Sequence, residues 1–128
     1  MIITPLMCLT FAIYHESRGT NLSSMVKVGN VVVNRTADKN YCKTVFKRGQ
    51  FSWTNKIKYK ANFKSYNAML DYYNITDLNS YFNSVQAATI AVNYSMTDAN
   101  FYHDKSIKSF KFNAGQVVSS NKYFIFYR

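Results

Sequence analysis

The spacing of apolar residues near the amino terminus is the feature that most constrains the fold of this chain. Leu9 and Ile13 recur at the helical period, and Pro5 suits the first position of a helix. Gly19 follows shortly afterwards and supplies the left-handed residue that commonly ends a helix. These features predict a first helix over residues 5–17.

Three further segments have helical character. Ser23 or Ser24 is expected to cap a second helix that continues to about Arg35. This helix would have a wide apolar face rich in valine. Two more helices are predicted at about 61–73 and 79–95. The last of these carries alanines, whose small side chains permit close packing between helices.

Short strands complete the prediction. Alternating aromatic and polar residues favour a strand at 50–54, after a loop at 38–49, and β-formers favour strands at 101–103 and 123–127. A chain of 128 residues without repeats or linkers has the size of one domain. We therefore predict a mostly helical α+β fold, with a small β-sheet, in a single domain over residues 1–128.

The charge of the chain indicates the class of partner. Sixteen Lys and Arg against six acidic residues give a net charge of +10, which attracts polyanions. The basic residues are dispersed, so we expect no nucleic-acid partner, and anionic bacterial envelope polymers remain candidates. Apolar runs are much shorter than the roughly 20 residues that cross a bilayer, so we expect no stable membrane insertion.

The cysteines and the amino terminus indicate where in the cell the protein is made and where it acts. Cys8 and Cys42 are too few for a disulfide framework or a four-thiolate zinc site. They could form one bridge, but we expect free buried thiols unless the protein works outside the cytoplasm. The first residues lack the features of a signal peptide. We therefore expect synthesis in the cytoplasm and a target reached by release or another route of export.

Glu16 is the candidate with the clearest chemistry. It is the only glutamate in the chain and lies at the end of an apolar helix. Apolar surroundings disfavour a charged carboxylate, so this group could stay protonated and act as a general acid. The simpler interpretation is a helix-end carboxylate paired with Arg18.

Metal chemistry is not expected. His15 and Glu16 begin a zinc-protease pattern, but the second His that the pattern needs is replaced by Gly19. The only other histidine is His103, and no carboxylate cluster accompanies it. We predict neither a metal site nor a cofactor.

Four blocks of sequence resemble, in order, the SleB-type cell-wall hydrolase family, which includes spore-cortex-lytic enzymes and phage-encoded lysins. The blocks are 12–19 (AIYHESRG), 25–35 (MVKVGNVVVNR), 49–53 (GQFSW) and the stretch from Ala87 to His103. Four matches in the same order are far more specific than any one of them.

This resemblance implies a lysozyme-like α+β catalytic domain that cuts the glycan strands of bacterial peptidoglycan. The family's catalytic glutamate falls on Glu16. Members described as lytic transglycosylases cleave between N-acetylmuramic acid (MurNAc) and N-acetylglucosamine (GlcNAc), leaving a 1,6-anhydro end, and this chemistry needs only one carboxyl group. We expect a monomeric, endolysin-like, bacteriolytic protein, made in a phage-infected bacterium.

The resemblance also implies substrate-binding residues around the acid. Trp53 could stack on a sugar face, and Ser52 could bind an N-acetyl group or position Glu16. The residues predicted to bind substrate are Arg18, Gln50, Ser52, Trp53, Tyr102 and His103.

Three alternatives stay open at this point. A hydrolytic muramidase would use water, activated by an aspartate such as Asp98 or Asp104. Cys42 and His103 could instead form the nucleophile pair of an amidase. A basic binding module without catalysis would be indifferent to the loss of Glu16.

Overall fold

The computed structural model describes residues 1–106 and 115–128, which form five α-helices and one three-stranded sheet. The elements are α1 (Pro5–Ser17), α2 (Leu22–Asn34), α3 (Tyr41–Val45), α4 (Tyr66–Tyr72), α5 (Leu78–Asn93), β1 (Phe101–Asp104), β2 (Val117–Ser120) and β3 (Phe124–Tyr127). This confirms the predicted mostly helical α+β fold. Residues 107–114, between the two strands predicted at 101–103 and 123–127, lie outside the described residues. None of the helices in the described ranges is long and apolar enough to cross a membrane.

Helix α1 is the centre of the molecule, and its bounds confirm the predicted helix. It starts where the Thr4 hydroxyl accepts a hydrogen bond from the Met7 amide at 3.2 Å, with Pro5 in the first turn. Residues on all its sides are buried, because α2, α3 and α5 pack around it. Its last turn carries Glu16, which is only partly buried.

Helices α2 and α5 approach each other closely, as the small residues of α5 predict. Ala88 and Ala91 are buried in the core that α1 and α2 share. A Cβ atom built on Gly29 would lie 2.8 Å from the Ala91 Cβ and 2.9 Å from the Ile13 Cδ1. The absence of a side chain at Gly29 thus sets the spacing of these helices.

Two asparagines of α2 hold the segment that leads into the sheet. The side-chain Nδ2 of Asn30 donates to the Ala91 and Tyr94 carbonyls, both at 3.0 Å. Its Oδ1 accepts from the backbone amide of Met96 at 2.8 Å. One turn later, the Asn34 amide donates to the Ala99 carbonyl at 2.8 Å. These bonds fix where β1 begins.

The sheet is antiparallel with the strand order β1-β3-β2. Tyr102 of β1 lies opposite Phe126 of β3, and Phe124 and Phe126 are buried against Val28 and Val31 of α2. Strand β1 is therefore an edge strand beside α2, and it runs past the end of α1.

The prediction for residues 50–54 was wrong, because Ser52–Asn55 form a 3-10 helix. Phe51 is buried, and its carbonyl accepts from the Thr54 hydroxyl at 2.7 Å, which closes a tight turn. Alternation of two aromatic residues over so short a stretch does not distinguish a strand from such a turn. The loop predicted at 38–49 also contains the short helix α3.

Other boundaries differ for local reasons. Asn21, rather than a serine, caps α2, because its side chain accepts from the Ser24 amide. Helix α4 starts after Ser65, later than predicted, since Ala61 and Phe63 hydrogen-bond to the first residues of the chain. Strand β2 was not predicted, whereas α5, β1 and β3 agree with the prediction to within about two residues.

Of the two states that the sequence left open for the cysteines, the structure shows the bridge. Cys8 of α1 and Cys42 of α3 form a disulfide, with their Cα atoms 5.0 Å apart. Cys8 is fully buried, and α3 packs directly on α1. The bond links the helix that carries Glu16 to the helix that carries Thr44.

Candidate active site

A cleft of about 650 Å³ opens between the end of α1, the end of α2, the loop before the 3-10 helix and strand β1. Gly49 has a φ of 80°, and this left-handed conformation turns the chain so that Gln50 and Phe51 reach the cleft. The residues that line it are His15, Glu16, Val31, Val32, Arg35, Thr44, Gly49, Gln50, Phe51, Phe101, Tyr102, His103, Asp104 and Phe124.

The carboxyl group of Glu16 is held by one specific hydrogen bond. The Tyr102 hydroxyl donates to Glu16 Oε1 at 2.5 Å, across a sequence separation of 86 residues. Glu16 forms no other hydrogen bond with the described residues. One oxygen of the carboxyl group is thus fixed by the protein, and the other is left for a ligand in the cleft.

The surroundings of Glu16 favour its protonated form. Burial raises the pKa of Glu16, the hydrogen bond from Tyr102 opposes that rise, and the charge of Asp104 adds to it. The end of α1 also presents the partial negative charge of a helix carboxyl terminus, which disfavours a carboxylate in the last turn. Glu16 therefore has the properties of a general acid that a partly buried carboxyl group acquires.

Tyr102 is anchored on its other sides by the sheet. Its ring centroid lies 5.4 Å from that of Phe124 and 6.0 Å from that of Phe126. Burial, followed by the charge of Glu16, raises the pKa of Tyr102 well above its ordinary value. The protonated form of Tyr102, which can donate to Glu16, is therefore favoured.

His15 forms the base of the cleft next to Glu16. Its Nε2 hydrogen-bonds with the Tyr73 carbonyl at 2.8 Å, and its ring stacks on Trp53 with centroids 4.6 Å apart. Burial lowers the pKa of His15, so the neutral ring is favoured. Trp53 lies behind this ring and also packs edge-on against Phe46.

The structure brings four of the predicted site residues together in the cleft: Glu16, Gln50, Tyr102 and His103. His103 Nδ1 hydrogen-bonds with the Tyr127 hydroxyl at 2.9 Å, which fixes the ring at the edge of the sheet. The other three predicted residues do not line the cleft.

Each of those three has another environment. Arg18 donates to the Tyr14 hydroxyl at 2.5 Å instead of pairing with Glu16. Ser52 is exposed in the 3-10 helix, and the ring of Trp53 stacks on His15. Their predicted contacts with sugar remain predictions, and Trp53 has a direct structural role in supporting His15.

Sequence reasoning did not select Arg35 or Thr44, which the structure adds to the lining. Arg35 caps the end of α2, and its guanidinium carbon lies 4.9 Å from the centroid of the Phe101 ring. Nothing in the sequence distinguishes it from the other basic residues, except that it closes the block 25–35. Asp104 lines the cleft, whereas Asp98 pairs with Arg128 at the surface.

Two observations concern other kinds of chemistry. Over residues 1–106 and 115–128, no group of three or more His, Cys, Asp or Glu residues could hold a metal ion. Cys42 is disulfide-bonded to Cys8, so it offers no thiolate to pair with His103 as an amidase nucleophile. Glu16 is the candidate acid that lines the cleft.

The fold and the cleft define a small α+β domain built around one half-buried carboxyl group. By sequence, the chain belongs to the SleB-type Cell Wall Hydrolase family (Hydrolase_2), whose family model matches residues 19–127. Membership makes the chain a peptidoglycan-degrading enzyme in general terms. The match begins at Gly19, so it does not include Glu16. Neither the comparison with curated proteins nor that with solved structures gave a match.

Proposed function

We propose that the chain is a lytic transglycosylase that cleaves the bond between MurNAc and GlcNAc, with Glu16 as its single acid and base. The observation that carries this proposal is the state of the Glu16 carboxyl group. It is partly buried, its pKa is raised, and the Tyr102 hydroxyl holds only its Oε1. The other oxygen can therefore carry a proton toward a glycosidic oxygen in the cleft.

The first half of the reaction uses Glu16 as an acid. Its proton moves to the glycosidic oxygen while the bond from that oxygen to C1 of MurNAc breaks, and GlcNAc leaves with a free hydroxyl group. The N-acetyl group of MurNAc stabilises the positive charge at C1. Tyr102 then stabilises the carboxylate that has formed, because its hydroxyl donates to Oε1.

The second half uses the same group as a base. The Glu16 carboxylate accepts the proton of the C6 hydroxyl as O6 attacks C1, which closes the 1,6-anhydro ring. Glu16 ends protonated, and no water is consumed. Gln50 and His103 line the same cleft and would bind the sugars or the N-acetyl group on either side of the acid.

A hydrolytic muramidase is the second candidate, and one observation favours it. Asp104 lines the cleft, and its charge is one cause of the raised pKa of Glu16. It could therefore activate a water molecule for attack at C1. Asp98 is the weaker candidate because it pairs with Arg128 and does not line the cleft.

The test is digestion of purified peptidoglycan by wild-type protein and by Glu16→Gln, Asp104→Asn and Asp98→Asn, with mass spectrometry of the soluble products. We expect 1,6-anhydro products, a loss of about 100-fold or more in Glu16→Gln, and near-normal activity in Asp98→Asn, the surface control. Reducing ends that Asp104→Asn abolishes would identify the muramidase. An active Glu16→Gln protein would refute the role of Glu16, and binding without cleavage by the wild type would identify a binding module.

The setting of the reaction is part of the proposal. We infer that the protein acts as a monomeric, phage-type lysin on the bacterial wall after release or export from the cytoplasm. A disulfide between Cys8 and Cys42 supports a working site outside the reducing cytoplasm. The net charge of +10 would favour adsorption to anionic envelope polymers.

A further inference from the structure

Arg35 is a charged group of the cleft that the proposed reaction does not use. Its side chain is exposed and lines the cleft together with Glu16 and His103. The guanidinium carbon lies 4.9 Å from the centroid of the Phe101 ring, and this cation–π contact holds the side chain at the wall.

The guanidinium group has no acceptor of its own in the described part of the chain. Among residues 1–106 and 115–128, the single ion pair joins Arg128 to Asp98. Asp104, the acidic neighbour in the cleft, accepts a hydrogen bond from the Ser106 amide and forms no ion pair with Arg35. Arg18 differs, because it donates to Tyr14. The planar set of N–H donors on Arg35 is thus available to a ligand.

We infer that Arg35 is a specificity-determining residue that binds a carboxylate of the muramyl unit of the substrate. The inference rests on the proposed function, because it takes a peptidoglycan glycan strand to be the ligand of the cleft. A guanidinium group matches a carboxylate with two parallel hydrogen bonds, whereas the sugar rings of the strand are neutral. A carboxylate occurs there on the lactyl group of an unsubstituted MurNAc or on the stem peptide attached to it.

The test compares kcat/KM on glycan strands that carry stem peptides and on strands stripped of them by an amidase. Each substrate is used unmodified and with its carboxyl groups converted to amides by carbodiimide and ammonia. Arg35→Gln is compared with Arg35→Lys, which keeps the charge, and with Lys60→Gln. Lys60 is a matched control because its ammonium lies 4.9 Å from the Phe63 ring, outside the cleft.

We expect Arg35→Gln to lower kcat/KM about tenfold or more on an unmodified substrate, mainly through KM. Amidation should cause a similar loss in the wild type and little further loss in Arg35→Gln. If this pattern appears on the stripped strands, Arg35 binds the lactyl carboxylate. If it appears on the strands with stem peptides, Arg35 binds a carboxylate of the stem peptide. Arg35→Lys should recover part of the loss, and Lys60→Gln should behave as the wild type.

An equal loss on unmodified and amidated strands of both kinds would overturn the inference, since a merely structural role does not depend on substrate charge. Failure of the proposed function is distinguished by a binding measurement. Calorimetry of Glu16→Gln and of the Glu16→Gln/Arg35→Gln double variant with the same strands reports the carboxylate contact without any cleavage. Weaker binding by the double variant, lost on amidation, supports the inference, and equal binding refutes it.

Discussion

Removal of the disulfide should lower the thermal stability of the protein by an amount that its loop length predicts. Cys8 and Cys42 are separated by 34 residues. Closing a loop of that length in the unfolded chain corresponds to about 4 kcal/mol at 25 °C in the chain-entropy model. The unfolding entropy of a chain of 128 residues is roughly 0.27 kcal/mol/K, so the loss corresponds to a decrease in Tm of about 14 °C.

The assay is thermal unfolding of the oxidised wild type and of the Cys8→Ala/Cys42→Ala variant, each with and without reductant. The variant should unfold about 14 °C lower. The variant is also the control, because its Tm should not respond to reductant, whereas the wild type should approach it when reduced. A wild type and a variant that unfold within about 2 °C of each other would refute the reasoning. Such a result would mean that residual structure already restricts the unfolded chain between the two cysteines, or that the bond is strained.

Two further perturbations test the site and the core. Tyr102→Phe removes the hydroxyl that stabilises the Glu16 carboxylate, so the pKa of Glu16 should rise further. Because the acid must be protonated, the alkaline limb of the pH profile of kcat/KM should move to higher pH in Tyr102→Phe. Tyr66→Phe, which removes a hydroxyl outside the cleft, should leave that limb in place. An unmoved limb in Tyr102→Phe would contradict the role of the Tyr102 hydroxyl. Gly29→Ala adds a Cβ atom 2.8 Å from that of Ala91, and we expect a net loss of about 1–2 kcal/mol in urea unfolding after the gain in helix propensity. Unchanged stability in Gly29→Ala would mean that α2 and α5 separate at little cost.

The parts of the fold that follow local rules could be predicted from the sequence. Helix α1 is specified by Pro5, by its apolar residues and by Gly19 after its end. Gly19 has a φ of 83°, a left-handed conformation that glycine adopts more readily than other residues. The displaced start of α4, by contrast, depends on a distant partner. The start of α4 is displaced because Phe63 hydrogen-bonds to the Met1 carbonyl, and no local pattern encodes such a pairing.

The candidate site likewise contains residues that local sequence features indicate and residues that they do not. Glu16 could be selected from the sequence because its apolar helix and its position in the last turn are local properties. Arg35 and Asp104 could not be assigned to the cleft, because their approach depends on how the sheet lies against α2. The state of Cys8 and Cys42 stayed open because the proximity of α3 to α1 is a tertiary feature that the sequence does not reveal.

The block 25–35 contains residues that position other parts of the site. Asn30 and Asn34 bind the backbone of residues 94–99, which fixes the start of β1 and so delivers Tyr102 to Glu16. These two asparagines therefore influence Glu16 through the geometry of the hydrogen bond from Tyr102. The last residue of the block, Arg35, is different, because its side chain reaches the cleft itself. A sequence block that resembles an enzyme family can thus combine residues that position the Glu16 carboxyl group with one whose side chain lines the cleft, and the structure distinguishes the two.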